Sequence, residues 1–146
     1  IASVLALAYV MNFSGQTIAM GTFLAGLGTV YAFLAPALGW IGTAVTGSDT
    51  SANALFAKLQ VSAAENLQHA GIHGATPELM LAANTTGGVV GKMISPQSLA
   101  IAATSVDMEG KESDILKAVL PWSFAMLLFV CVLVFLQTNV LSFMIP

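Results

Sequence analysis

The stretch Thr46-Gly-Ser-Asp-Thr-Ser-Ala-Asn53 decides how the rest of this sequence is interpreted. It is small and polar, it carries one acid, and residues 1–45 before it contain no charged side chain. A second polar island, Ala83-Asn-Thr-Thr-Gly-Gly-Val-Val-Gly-Lys-Met-Ile-Ser-Pro-Gln-Ser98, also lies within apolar sequence. Polar, glycine-rich backbone at membrane depth is tolerated only where it is buried in protein or lines a cavity. The two islands therefore predict the binding site of a membrane transporter.

The composition excludes a soluble globular protein. The 146 residues are 57% hydrophobic and only 8% charged, whereas a typical soluble domain is about 25% charged. All four lysines and all seven acids lie between Asp49 and Lys117, and there is no arginine. A formal charge of −3 with so few bases excludes nucleic acid as a partner. The lone Cys131 is predicted to be a small apolar filler, and no cofactor is expected.

The beginning of the sequence indicates a piece of a longer polytopic protein. Residues 1–11 are apolar but too short to span a bilayer, which takes about 20 residues, and they lack the features of a signal peptide. We therefore expect residues 1–146 to form a single transmembrane transport domain, with an N-terminal half missing. The polar segment Asn12-Phe-Ser-Gly-Gln-Thr17 is either an interfacial loop or a helix break that faces a cavity.

The first polar island is predicted to be the tip of a helical hairpin. Residues 18–45 are long and apolar enough to span a membrane, with a kink at Pro36. Residues 53–68 mix apolar with charged side chains, which is typical of an amphipathic helix rather than a lipid-facing span. An apolar segment, a polar tip at Gly47–Ser51 and an amphipathic return predict a hairpin that packs inside the protein.

The second island predicts a discontinuous membrane helix. Thr76-Pro-Glu-Leu79 has the residues that begin a helix, with Thr76 as N-cap. We expect this helix to break at Asn84-Thr-Thr-Gly-Gly88 and to resume afterwards, with a further interruption at Ser95-Pro-Gln97. Residues 104–117 are predicted to be a hydrophilic loop, and residues 118–140 are the strongest span. The predicted fold is thus an all-α polytopic membrane protein with a hairpin and a discontinuous transmembrane helix.

The hairpin tip supplies the first group of candidate site residues. We expect substrate contacts from its hydroxyl and amide side chains, namely Ser48, Thr50, Ser51 and Asn53. Free amides at a helix N-terminus attract anions, but an ionised Asp49 would oppose one. Asp49 is better suited to couple transport to a proton or to sodium, because burial raises the pKa of a carboxyl group. The alternative is that these residues only cap the following helix.

The second group of candidates surrounds the expected helix break. The predicted substrate-binding residues there are Asn84, Thr85, Thr86, Gly87, Gly88 and Lys92. The glycines allow close approach of a ligand to the backbone, and an intramembrane lysine is a functional candidate by default. The alternative for Lys92 is a side chain that extends to the lipid headgroups. The run is not a phosphate-binding loop, because Thr86 and Met93 occupy positions where that motif needs Gly and Ser or Thr.

A metal site is not expected. Glu65, His69 and His73 are spaced at i, i+4 and i+8, but Gly71 and Gly74 weaken a helix there and no fourth ligand is evident. A pair of loop histidines that does not bind metal is the other interpretation. The sequence also gives no support for a catalytic site in which Ser, His and Asp act together as a nucleophile and its activating groups.

Three motifs resemble the bacterial L-lactate permease family. They are Ala8-Tyr-Val-Met-Asn-Phe-Ser-Gly15, Thr46-Gly-Ser-Asp-Thr-Ser-Ala-Asn-Ala-Leu-Phe56 and Gly87-Gly-Val-Val-Gly-Lys-Met-Ile-Ser-Pro-Gln-Ser98. The resemblance covers nearly the whole chain and implies the C-terminal half of an inverted-repeat transporter in the cytoplasmic membrane. It implies a proton-coupled symporter of lactate, and often of glycolate.

The resemblance also implies how the substrate is held. Relatives in the wider ion transporter superfamily bind a carboxylate between hairpin tips rich in Ser, Asn and Thr and the breaks of discontinuous helices. By residue type, residues 48–53 match the hairpin tip and residues 84–88 match the helix break. Relatives have Ser-Asn-Thr at the tip where this chain has Ser-Asp-Thr-Ser-Ala-Asn, so the choice between proton and sodium stays open. The partner hairpin is expected in the missing N-terminal half.

The function predicted from the sequence is symport of a small monocarboxylate by alternating access. The carboxylate of lactate is held by the tip and the break, Lys92 supplies the countercharge, and a proton enters with the substrate. The partners are then the substrate, the proton or sodium, and the lipid bilayer. Two alternatives stay open: a symporter of another small organic anion, and a membrane-embedded enzyme that uses Asp49 or the His69/His73 pair on a lipid-borne substrate.

Overall fold

The computed structural model describes residues 2–141 and residue 143. Ile1 of the first apolar segment, and residues 142 and 144–146 of the predicted domain, lie outside the described residues. These described residues form seven α-helices: α1 (Ala2–Phe13), α2 (Gln16–Ala25), α3 (Thr29–Thr46), α4 (Asp49–His69), α5 (Pro77–Gly91), α6 (Pro96–Ser105) and α7 (Glu112–Asn139). A short 3₁₀ turn, Lys92–Ile94, joins α5 to α6. Within the described residues there is no strand, so the all-α prediction is confirmed.

In the part of the chain that the structure describes, two helices are long and apolar enough to cross a membrane, α3 and α7. The bent pair α1 and α2, whose axes differ by 73°, would make a third span if taken together. Large apolar side chains project from the bundle, including Phe13 at 85% and Phe23 at 77% exposure. An apolar exterior of this kind suits lipid, and it agrees with the predicted polytopic membrane protein.

The polar segment at residues 12–17 proves to be a helix break. Only Ser14 and Gly15 separate α1 from α2, and Gly15 has a φ of 76°. Residues 18–45 were predicted as one span, and that prediction is wrong. α2 ends at Ala25, and the Gly26-Leu-Gly28 turn, where Gly28 has a φ of 60°, separates it from α3.

The predicted hairpin is formed by α3 and α4. Gly47, with a φ of 72°, ends α3 in the left-handed conformation, and Ser48 begins α4 by accepting a hydrogen bond from the Ser51 backbone N–H at 3.3 Å. The return helix starts at Asp49, earlier than the amphipathic pattern indicated, because the cap at Ser48 organises the first turn. Its buried residues are Ser51, Ala52, Leu59, Gln60, Ala63, Ala64 and Leu67.

The expected break at Asn84–Gly88 is not present, because α5 runs without interruption from Pro77 to Gly91. Its glycines serve packing instead. A Cβ on Gly87 would collide with the Pro36 carbonyl group of α3, and one on Gly91 would collide with the Trp40 backbone. The two glycines four residues apart therefore let α5 approach the backbone of α3 closely, as small residues do between membrane helices.

The real discontinuity lies further along, at the 3₁₀ turn. Ser95 ends that turn and caps α6 by accepting a hydrogen bond from the Ser98 backbone N–H at 3.3 Å. Pro96 occupies the first position of α6, where its missing N–H costs nothing. At the start of α5, Thr76 accepts from the Leu79 N–H at 3.2 Å, which confirms the predicted cap.

The predicted loop at residues 104–117 is shorter than expected. α6 continues to Ser105, and α7 already begins at Glu112. Glu112 and Asp114 lie in the first turn of α7, where acidic side chains interact favourably with the helix dipole. The strongest predicted span is therefore present as a 28-residue helix.

The interior lies where α3, α4, α5 and α7 meet. Its side chains are mostly small, with Tyr31, Leu67 and Met80 as its largest fully buried members. Trp40 on α3 donates from Nε1 to Ser123 Oγ on α7 at 2.9 Å, and that hydroxyl donates to the Val90 carbonyl of α5 at 3.3 Å. These polar contacts tie the three helices together beside the hairpin tip.

Candidate functional site

The turn between α3 and α4 is held by local hydrogen bonds. The Thr46 hydroxyl donates to the Gly42 carbonyl at 2.8 Å and accepts from the Ser48 backbone N–H at 3.3 Å. Ser48 in turn caps α4. Hydrogen bonds to the backbone of α3 and α4 therefore fix the positions of the Thr46 and Ser48 hydroxyls at the tip.

A cleft of about 590 Å³ opens at this tip. Its lining combines one residue of α1 with the tip residues and with residues after α5: Val4, Thr46, Gly47, Ser48, Asp49, Thr50, Ser51, Lys92 and Gln97. Gln97 lies against the turn, because its Oε1 would be 2.9 Å from a Cβ placed on Gly47. The two polar islands of the sequence thus meet at one cleft.

The cleft contains one acid and one base on opposite islands. Lys92 is exposed, and it forms no salt bridge with Asp49; among the described residues the ion pair found is Lys117 with Asp114, at 3.7 Å on the surface. α4 begins at the cleft, so the positive end of its dipole lies there as well. The Lys92 ammonium group is consequently available to an anion that enters from outside.

A buried chain of polar side chains leads from the core to the tip. Gln60, fully buried on α4, accepts a hydrogen bond from the Tyr31 hydroxyl. Its Nε2 donates to the Ala35 carbonyl at 3.0 Å and to Asn84 Oδ1 at 3.2 Å. Each polar atom of the Gln60 amide therefore has a partner, on α3 or on α5.

The chain continues through two asparagines to Asp49. Asn84 Nδ2 donates to Asn53 Oδ1 at 2.7 Å, and the Thr85 hydroxyl donates to the same oxygen at 3.2 Å. Asn53 Nδ2 then donates to Asp49 Oδ2 at 3.2 Å. A hydrogen-bonded polar network is rigid and specific, and through Asp49 Oδ2 this network sets where the Asp49 carboxyl group lies.

A family model described as L-lactate permease matches residues 1–141. The chain belongs to the L-lactate permease family. It is 49% identical over 146 residues to the L-lactate permease of Bacillus subtilis (strain 168) and 47% identical over 146 residues to that of Escherichia coli (strain K12), covering 100% of this chain in each case. It is 41% identical over 145 residues, 99% of this chain, to the glycolate permease GlcA of Escherichia coli (strain K12).

The chain spans 25% of the length of each of these relatives. No solved structure matches it significantly. Family membership together with the apolar helices identifies a multi-pass membrane protein.

The predicted site residues of this permease-family chain fall into three groups. The cleft collects Ser48, Asp49, Thr50, Ser51 and Lys92. The buried network includes the fully buried Asn84 and extends through half-buried Asn53 to the exposed Thr85 hydroxyl. The remaining candidates, Thr86, Gly87 and Gly88, lie elsewhere along α5.

Thr86 and Gly87 are separate from the cleft. The Thr86 hydroxyl donates to the Ala82 carbonyl of its own helix at 2.8 Å, and the residue lines an apolar cleft between α5 and α7. Gly87 packs against Pro36. Gly88, by contrast, lies against Asp49 and Thr43.

Four residues at the site were missed from the sequence: Tyr31, Thr43, Gln60 and Gln97. Gln60 had a usable signal, since it shares one face of α4 with Asp49 and Asn53 at helical spacing. Thr43 and Tyr31 look like ordinary members of an apolar helix. Gln97 belongs to the predicted interruption at Ser95-Pro-Gln97, and only the fold brings it to Gly47.

The histidines lie apart from the cleft. His69 ends α4 and lines a groove between α2 and α4 with Lys58 and Glu65. His73 follows the end of that helix, so the i, i+4, i+8 spacing does not place all three side chains on one helical face.

Proposed function

We propose that this chain forms part of the substrate and ion pathway of a secondary active transporter. The substrate is L-lactate or a related 2-hydroxy monocarboxylate such as glycolate, moved by proton-coupled symport across the bacterial cytoplasmic membrane. The observation that carries the proposal is the cleft where the α3–α4 tip meets Lys92. The remaining segments of a longer chain, including the partner hairpin, complete the site.

The charges of the cleft support a monocarboxylate. One ammonium group and one helix N-terminus can balance one carboxylate. A dicarboxylate would need more positive charge than Lys92 provides. The relatives with the names L-lactate permease and glycolate permease point to the same class of substrate.

The polar side chains have distinct roles in this proposal. The hydroxyls of Ser48, Thr50 and Ser51 face the substrate, which has a carboxylate and a hydroxyl to satisfy. Asn53, Asn84 and Thr85 stabilise the tip through the hydrogen-bond network that ends at Asp49. Thr86 and Gly87 support the packing of α5.

Asp49 couples the transport to the proton. An ionised carboxylate in the same cleft as Lys92 competes with the substrate anion for its charge. Protonation of Asp49 removes the competition, so proton and substrate favour each other's binding, and this coupling is reciprocal. Both then move together through the alternating-access cycle.

The test is uptake of labelled L-lactate by the full-length permease in proteoliposomes. We expect accumulation when the outside is acidic, competition by glycolate, and none by a dicarboxylate of similar size. A sodium gradient at equal pH should not drive accumulation. Absence of accumulation under a pH gradient, with the protein correctly inserted, would contradict the proposal.

A further inference from the structure

Two buried oxygen atoms near the tip have no hydrogen-bond partner. They are Thr43 Oγ1 and Asp49 Oδ1, two of the three such atoms among the described residues. Thr43 is fully buried on α3. An unpaired buried polar group costs about 1–3 kcal/mol, so two of them in one place require an explanation.

Both oxygens converge on Gly88 of α5. A Cβ placed on this glycine would lie 2.8 Å from Thr43 Oγ1 and closer still to Asp49 Oδ1. A side chain at position 88 would therefore occupy the space that the carboxyl group fills. Three helices surround this space: α3 contributes the Thr43 hydroxyl, α4 contributes the Asp49 carboxyl group, and α5 leaves room for them because Gly88 has no side chain.

The other contacts of the two groups favour their interaction. Asp49 Oδ2 accepts from Asn53 Nδ2 at 3.2 Å, so the buried network anchors one carboxyl oxygen and leaves Oδ1 facing α5. Other helical threonines, such as Thr46 and Thr138, donate to the carbonyl four residues earlier, at 2.8 and 2.9 Å. Thr43 makes no such bond, which leaves its hydroxyl available.

We propose that Thr43 is the partner of the transported proton on Asp49. In the proton-loaded state Asp49 carries the proton on Oδ1 and donates a hydrogen bond to Thr43 Oγ1. The proton comes from water in the cleft and returns to water on the other side, so no further reactant is needed. This inference rests on the proposed proton symport and names the residue that stabilises its loaded state.

Few other charges act on Asp49. Lys92 lines the same cleft, while α1, α3 and α6 contain no charged residue and the only charged residue of α5 is Glu78 in its first turn. The next charged residue of α4 is Lys58. Two oxygens suit a proton better than a hard metal cation, which takes about six oxygen ligands.

The experiment compares Thr43→Val with Thr43→Ser in the full-length permease. Labelled lactate uptake is measured in proteoliposomes over a range of pH, together with counterflow at equal pH on both sides. Thr43→Val should move the pH of half-maximal uptake down by about one unit, because loss of one hydrogen bond weakens proton binding roughly tenfold. Thr43→Ser should keep the wild-type midpoint.

Two further variants make the test decisive. Thr138→Val removes an equally buried helical hydroxyl far from the cleft, and it should leave the midpoint unchanged. If Thr43→Val is too unstable to measure, Thr43→Cys replaces it, since a sulfur is a weak acceptor and should give a smaller shift in the same direction.

The outcomes separate the inference from the function it rests on. An unchanged midpoint in Thr43→Val, or a shift to higher pH, overturns the role of Thr43 while proton symport stands. A wild-type permease that accumulates lactate only with a sodium gradient overturns both. A midpoint shift shared by Thr138→Val would show a general stability effect and would also overturn the inference.

Discussion

Replacing Gly87 by alanine tests the packing that holds the site together. The new methyl group would meet the backbone of α3, with 2.7 Å to the Pro36 carbonyl carbon and less to its oxygen. Because both sides of this contact are backbone, no side-chain rotation can relieve it. α5 must move away from α3, and the neighbouring Gly88 moves with it.

The size of the effect follows from this geometry. Overpacking a close-packed interior costs about 1–3 kcal/mol for small additions. The methyl group would also separate a helix pair whose association in the membrane depends on close contact. We therefore expect Gly87→Ala to lower the free energy of unfolding by roughly 1–3 kcal/mol and to reduce lactate uptake.

The assay is thermal unfolding of the purified full-length permease in detergent, followed by uptake at matched membrane abundance. Gly26→Ala is the matched control. Its φ of −59° suits alanine, and its nearest neighbour would be a carbonyl oxygen of its own helix at 3.1 Å. If Gly87→Ala unfolded at the same temperature as Gly26→Ala and took up lactate at the same rate, the close approach of α3 and α5 would be refuted.

Three more predictions concern the cleft. Lys92→Ala should weaken lactate binding about 10- to 150-fold through loss of a charge-assisted contact of ~1.5–3 kcal/mol, with only partial rescue by Lys92→Arg; wild-type affinity in the alanine variant would assign Lys92 to the lipid headgroups. Asp49→Asn should abolish accumulation driven by a pH gradient and preserve lactate counterflow, and unchanged accumulation would leave Asp49 with only a structural role in the first turn of α4. A cysteine at Ser48 should react with a small thiol reagent from one side of the membrane only, more slowly with lactate present; labelling of Ser48→Cys and Gln68→Cys from opposite faces would show an ordinary span instead of a hairpin.

The sequence alone was sufficient for the class of fold and for some of the helix caps. Segregated charges and long apolar runs lead to membrane helices whatever the tertiary arrangement, because unpaired backbone is costly in lipid. The caps at Ser48, Thr76 and Ser95 are likewise local, since each side chain bonds an amide three residues ahead. The family was also evident, because its motifs are contiguous in sequence.

The tertiary structure decided what the polar and glycine residues of α5 do. In sequence, Asn84-Thr-Thr-Gly-Gly88 has the composition of a helix break, since glycine weakens an isolated helix by about 1 kcal/mol. In the fold, that weakness is offset by contact with α3 and by hydrogen bonds to α4. Neither partner can be inferred from the local pattern.

The site itself depends on the same long-range contacts. Asp49 and Lys92 come to one cleft from separate islands, and the Thr43 hydroxyl and the Asp49 carboxyl group can both lie against α5 only because position 88 is a glycine. Sequence patterns report which faces of a helix are apolar, but they do not report which helix each face meets. That choice is made by backbone approach and by the pairing of buried polar groups, which exist only once α3, α4 and α5 are packed together.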